Sequence, residues 1–219
     1  MVDTSSKLQA QLAAERELKL LEVSAYASRE ALAAFADKTT SDAKADRSAA
    51  SKTVIDPATG KTIFGSKWGL ANKSKRKIPA AIREMLFVRL ISTVELFLTD
   101  GVRDLFIKNT RIFHDQKKRF DISHAELLSS PSISVLKEKF ILKEIRSLHS
   151  SGFSDIAKYY EKRLEIRFSE LGLNLREIIE FFDRRHLLVH RMGRADEKYR
   201  RKYNYNSKTV LTVSSDYLE

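Results

Sequence analysis

Two histidines and three arginines crowd into eight consecutive positions late in this chain: Arg184, Arg185, His186, His190 and Arg191, between Phe181-Phe182 and Gly193. An imidazole titrates near neutrality and can take or give a proton, and a guanidinium binds phosphate through a fork of N–H donors. Proton transfer beside a bound phosphate is the chemistry these residue types offer. The surroundings point the same way, because nine Lys/Arg lie between Arg184 and Lys208 against two acids, Asp196 and Glu197. A solvated helix end, whose dipole favours cations, would account for about three or four of them.

Two blander readings compete. His186 and His190 are spaced i, i+4, which can set two imidazoles on one metal ion. No His-Glu-x-x-His pattern accompanies them, no third ligand follows, and Arg185 would repel a cation, so neither metal nor cofactor is expected. Alternatively, His186 is a satisfied core histidine and the arginines are a solvated basic helix end. At 100° per residue, Leu175, Ile178, Phe182, His186 and Val189 share one face, which is expected to be the core side. Arg185 and His190 flank that face about 140° apart, and Leu187-Leu188 point away from it. A helix apolar almost all round needs a second packing partner, such as another copy of the chain.

The elements that must position this segment follow from the rest of the sequence. With 42% hydrophobic and 32% charged residues, 7 Gly and 3 Pro among 219, the chain has the profile of a soluble helix-rich protein. It holds no run of about 18 uncharged apolar residues, so no membrane span is expected. The start MVDTSSKLQAQ lacks the basic-then-apolar order of a signal peptide, which makes a cytoplasmic location the expectation. The absence of cysteine removes thiol catalysis, disulfides and thiolate metal sites. A net charge of +11 favours a polyanionic partner, nucleic acid being the commonest and an anionic membrane or acidic protein the alternatives.

Residues 1–37 read as a helical arm from Ser6 to Ala36, its heptad interrupted by Glu15 and Glu22. Residues 38–78 read as a linker that includes a β-hairpin at Thr53–Phe64 around Asp-Pro-Ala-Thr-Gly. Trp68 lies near Lys73, Lys75, Arg76 and Lys77; it could stack on a base, although a lone Trp more often anchors an extension to the core. The main body, residues 79–205, opens with Pro79 in the first turn of a helix whose stripe runs through Ile82, Leu86, Leu90, Val94, Phe97-Leu98, Val102 and Leu105-Phe106. Glu95 lies beside that stripe, where a carboxylate facing the site could position an arginine. His114 and His124 read as surface residues. Further helices are predicted from Ser132 to about His149, from Ser154 to Leu171, and from a cap at Asn174 with Glu177 as its capping-box partner to a glycine stop at Gly193. In the tail, residues 206–219, a short strand is expected at Thr209–Val213, placed beside the hairpin. The expected fold is all-α, an antiparallel bundle of four to five helices with an N-terminal arm and a small β element.

The run Arg185-His186-Leu187-Leu188-Val189-His190 resembles the R-x4–6-H motif of the HEPN superfamily (higher eukaryote and prokaryote nucleotide-binding domains). His186 matches the polar residue that members commonly carry after the arginine. The flanking RRHLLVHRMGRAD and the earlier VRLISTVELFLTDGVRDLF resemble the last and first helices of that fold. The likeness covers about Pro79 to Tyr205, and residues 1–78 have no counterpart in it. It implies a HEPN-like bundle and a metal-independent endoribonuclease acting as a homodimer, with the two motifs meeting across the subunit interface. RNA carries a 2′-OH beside each phosphodiester, which a base can activate. In that reading His190 is general acid/base, Arg185 clamps the phosphate, His186 orients the site or supports the interface, and products end in 2′,3′-cyclic phosphate. Arg184, Arg191, Arg194, Lys198, Arg200 and Arg201 would bind the RNA backbone. The resemblance also implies a toxin or antiviral defence effector with an antitoxin or sensor partner. A non-catalytic RNA- or nucleotide-binding or assembly module of the same fold is the alternative.

Overall fold

The computed structural model of the chain describes residues 8–45, 53–113, 121–149, 152–205 and 210–214. These form seven α-helices and a single two-stranded sheet. They divide into two compact units, one drawn from residues 1–18 and 91–208, the other from residues 19–90 and 209–219. Two long helices, α1 (Gln9–Ala45) and α2 (Lys67–Lys108), contribute to both.

In the second unit, α1 runs on through Ala45, where a linker was expected from residue 38. The composition there, Thr, Ser, Asp, Lys and Ala, lacks large apolar residues, but small side chains suffice when two helices approach closely. Thr39 and Thr40 donate to the Ala36 carbonyl at 3.1 and 2.6 Å, and Thr39 Oγ1 shares a 3.0 Å hydrogen bond with Ser74 of α2. Ala43, Ala71 and Ser74 are buried around this contact.

The hairpin forms as β1 (Val54–Ile55) antiparallel to β2 (Thr62–Phe64), with Val54 opposite Phe64. Asp56 closes its turn by accepting from Ala58 N at 2.9 Å and Thr59 Oγ1 at 2.7 Å, and these bonds hold its carboxyl below the ordinary carboxylate range. The segment at 210–214 does not join this sheet. It buries Leu211 and Val213 instead, and Arg83 Nε donates to the Val213 carbonyl at 3.2 Å.

Helix α2 starts 12 residues before the expected Pro79, which lies within it. Proline removes one i→i−4 hydrogen bond, but the flanking Lys, Arg, Ala and Leu residues are helix formers that sustain both sides. Farther along, Ile91, Leu98, Val102 and Phe106 are buried in the first unit. Helices α4 (Ile133–His149), α5 (Phe153–Leu164) and α6 (Leu175–Arg191) belong to the same unit, as do the short α3 (His124–Ser129), which buries none of its residues, and α7 (Glu197–Tyr203). The Asp104 carboxylate of α2 accepts from Ala10 N at 2.7 Å, satisfying a free amide at the start of α1.

Helix α5 ends at Leu164, short of the expected Leu171, as Glu165 turns left-handed and a 3-10 turn follows at Phe168–Leu171. The break lets Phe168 fold back on Phe153 and Tyr160, at ring separations of 5.5 and 5.4 Å. On an unbroken helix, Phe153 and Phe168 would stand about 22 Å apart. Tyr160 Oη donates to the Leu98 carbonyl at 2.5 Å, and Gly101 makes room, since a Cβ there would lie 3.2 Å from that oxygen. Tyr159, bonded to Glu144 at 2.6 Å, has its phenol pushed up to about 12 by burial. His124 is exposed as expected, whereas His114 lies outside the described residues.

Candidate functional site on α6

The Asn174 cap forms as the sequence predicts, its Oδ1 accepting from Glu177 N at 3.4 Å and its Nδ2 donating to Glu177 Oε2 at 3.3 Å. At the other end the helix stops at Arg191. Met192 and Gly193 are both left-handed, and Gly193 N returns to the Leu187 carbonyl at 3.0 Å. The glycine stop is thus accompanied by a left-handed methionine.

Arg185 lies over α2. Its Nε and Nη2 donate to Ser92 Oγ at 3.3 and 3.2 Å, and Nη2 stands 3.4 Å from Glu95 Oε2. Glu95 is buried and is the acid that positions the arginine, a role its place beside the α2 stripe had raised. The side chain of Arg185 stays 26% exposed, and among the described residues its Nη1 N–H groups meet no acceptor.

His186 is not a core residue. The face it shares with Phe182 is covered only along the first half of α6, where Phe153 stacks on Phe182 at 5.0 Å. Past that contact His186, Val189 and His190 are exposed, the imidazole centroids lie 4.7 Å apart, and Met192 is 82% exposed. Leu187 is the buried residue, at 3% exposure, and Leu188 is half-buried. The second apolar side of α6 therefore has its cover within the chain. The open side is the one that carries both histidines.

Helix α7 docks on α6 through paired groups. Tyr199 Oη donates to Glu180 in a very short hydrogen bond, while Tyr203 Oη and Lys202 Nζ each reach Asp183 Oδ2 at 2.7 Å. Burial, and then the bond to Asp183, push the Tyr203 phenol well above its ordinary range. Of the expected RNA-binding residues, Arg184 is buried and donates from Nε to Glu180 at 2.8 Å, so it is withdrawn from any surface role. Arg201 pairs with Glu197, and Arg191 stands 4.0 Å from Asp196. Arg194 and Lys198 are exposed and Arg200 half-buried; none has an ion pair among the described residues.

His149 escaped sequence reading as a neighbour of this site. Thr99 Oγ1 stands 2.9 Å from the Glu95 carbonyl and shares a 3.1 Å hydrogen bond with His149 Nε2. Thr99 lies one turn beyond Glu95, and Ser92, Glu95 and Thr99 at i, i+3, i+7 form a polar line along α2. That spacing was the available signal. Among the described residues no three His, Cys, Asp or Glu side chains group as a metal centre would require, and no helix is long and apolar enough to cross a membrane. The chain matches no protein-family model, no curated protein and no solved structure.

Proposed function

We propose that the open end of α6 is half of the active site of a HEPN-like, metal-independent endoribonuclease. The observation that carries this reading is an arginine held by Ser92 and Glu95, with N–H groups to spare, on the same two turns as two exposed imidazoles. Arg185 binds the scissile phosphate and stabilises the charge that builds on its oxygens. His190 removes the proton from the 2′-oxygen, that oxygen bonds to phosphorus, and the 5′-oxygen leaves with a proton supplied by a second imidazole. The products are a 2′,3′-cyclic phosphate and a free 5′-hydroxyl. One copy offers a single His190, so a homodimer joined over the open face, with Val189 and Met192 as its apolar contacts, supplies both base and acid. His186 orients its neighbour or supports that interface. Arg191, Arg194, Lys198, Arg200 and Arg201 hold the RNA backbone. A cytoplasmic toxin or antiviral effector, checked by an antitoxin or sensor, is the setting that the motif resemblance supports.

Purified protein incubated with RNA in EDTA should yield cyclic-phosphate ends, and His190→Ala should slow cleavage by about 10²- to 10⁴-fold. Unchanged cleavage in that variant sinks the assignment. The carboxylate of Glu95 at 3.4 Å, which neutralises part of the Arg185 charge, favours a second reading: an RNA- or nucleotide-binding or assembly module without catalysis. Salt-sensitive binding with no cleavage would establish it.

A further inference from the structure

We infer that the hairpin and the first turns of α2 form a binding surface for single-stranded nucleic acid, whether or not α6 cuts RNA. From Pro57 to Arg83 the chain carries seven Lys/Arg and no Asp or Glu. Lys61, Lys67, Lys73, Lys75, Arg76 and Lys77 make no ion pair among the described residues. No carboxylate within the stretch pairs with them, which leaves their N–H groups available to a phosphate backbone.

The side chains are also ordered in a useful way. Trp68, Asn72, Lys75 and Arg76 are all exposed and stand at i, i+4, i+7 and i+8, a single stripe about 100° wide on α2. The orientation of that stripe is set, because Ala71 and Ser74 are buried and Ser74 is bonded to Thr39 of α1. Trp68 is 42% exposed and so does not serve as the core anchor expected of a lone tryptophan. The hairpin is pinned beside it: Lys73 Nζ sits 4.6 Å from the centroid of the Phe64 ring, and that ring occupies the space over Gly69, where a Cβ would come within 2.8 Å of it.

An exposed indole with two cations about two helical turns farther along the same stripe, roughly 10–12 Å by helical rise, is a pairing that takes an unstacked base with a neighbouring phosphate. Duplex DNA or RNA offers no such free base face. An anionic membrane is the rival partner, but it favours apolar residues gathered on one face with cations along the edges. Here the stripe interleaves Trp68 with Asn72, Lys75 and Arg76.

Trp68 is the chain's one tryptophan, so its fluorescence reports on this surface alone. The test titrates the full chain with a 20-nucleotide oligo(dT), which lacks a 2′-OH and so cannot undergo the proposed cleavage. Saturable quenching that weakens with added salt is expected. Measured by anisotropy of a labelled oligonucleotide, Trp68→Ala should bind about tenfold more weakly. Lys75→Gln with Arg76→Gln should lower the slope of log K against log salt by about 1.4. Binding with unchanged Trp68 emission would put the nucleic acid elsewhere and overturn the inference. So would a blue shift on anionic phosphatidylserine vesicles without quenching by oligo(dT), which would assign the surface to membranes. Loss of RNA cleavage in His190→Ala with intact quenching would separate this site from the one on α6.

Discussion

The two basic stretches of this chain look alike as sequence and differ as structure. Around α6 and α7, arginines and lysines are mixed with acids, and the fold spends several on pairs: Arg184 with Glu180, Lys202 with Asp183, Arg201 with Glu197. From Pro57 to Arg83 no acid lies within the stretch, and six of its cations stand without an ion pair among the described residues. The first arrangement holds a helix in place and leaves a few groups open for chemistry. The second leaves its charge available to a partner. A count of lysines and arginines cannot separate the two, because free charge depends on which acids lie within reach.

Three perturbations probe that difference. The largest effect is expected for Arg184→Ala, which takes the guanidinium from the Glu180 carboxylate and leaves it to the Tyr199 hydroxyl; losing one partner of a largely buried pair whose other partner keeps a hydrogen bond should cost about 2–3 kcal/mol. Chemical denaturation should show this as a lower midpoint, while Lys75→Ala should leave the midpoint within about 0.5 kcal/mol of the parent. Equal losses would mean the two regions are not different in the way described.

Alkaline pH should weaken the contact between α6 and α7. The stretch from Pro57 to Arg83 contains no tyrosine, whereas Tyr203 bonds to Asp183 and its phenol is raised above the ordinary 10.0. The folded state therefore keeps a proton that the unfolded chain releases. Its contribution to stability is complete below about pH 10 and is lost as pH rises toward the folded value. Thermal melts followed by circular dichroism from pH 8 to 11 should fall at the alkaline end, and Tyr203→Phe should fall less steeply. The smallest effect is expected for Glu197→Gln. Its pair with Arg201 is exposed on both sides, so stability should move by no more than about 0.5 kcal/mol, and less in high salt.

Much of the local structure was legible. The Asn174 cap, the Asp56–Gly60 turn and the limits of α4 each follow from residues a few positions apart or from one helical face. The misreadings share a cause. Apolar periodicity identifies the faces of α6 but not how far a neighbour runs along each one. The faces alone lean His186 toward the core and Leu187 away from it, whereas the fold exposes the first and buries the second. The continuation of α1 past Ala36 depends on Ser74, 35 residues from Thr39, and the end of α5 on Phe168 packing back against Phe153.

By itself, then, the sequence determined the helical character, the hairpin, the caps and the Arg185-x4-His190 spacing, since all of these arise from propensities and hydrogen bonds between near neighbours. Tertiary structure alone decided which groups can act. Arg185 is anchored by Ser92, 93 positions away, and Arg184 one residue earlier is buried against Glu180. Both histidines stand open because the cover from Phe153 ends at Phe182. Burial and ion pairing are set by residues remote in the chain, and only folding brings them together.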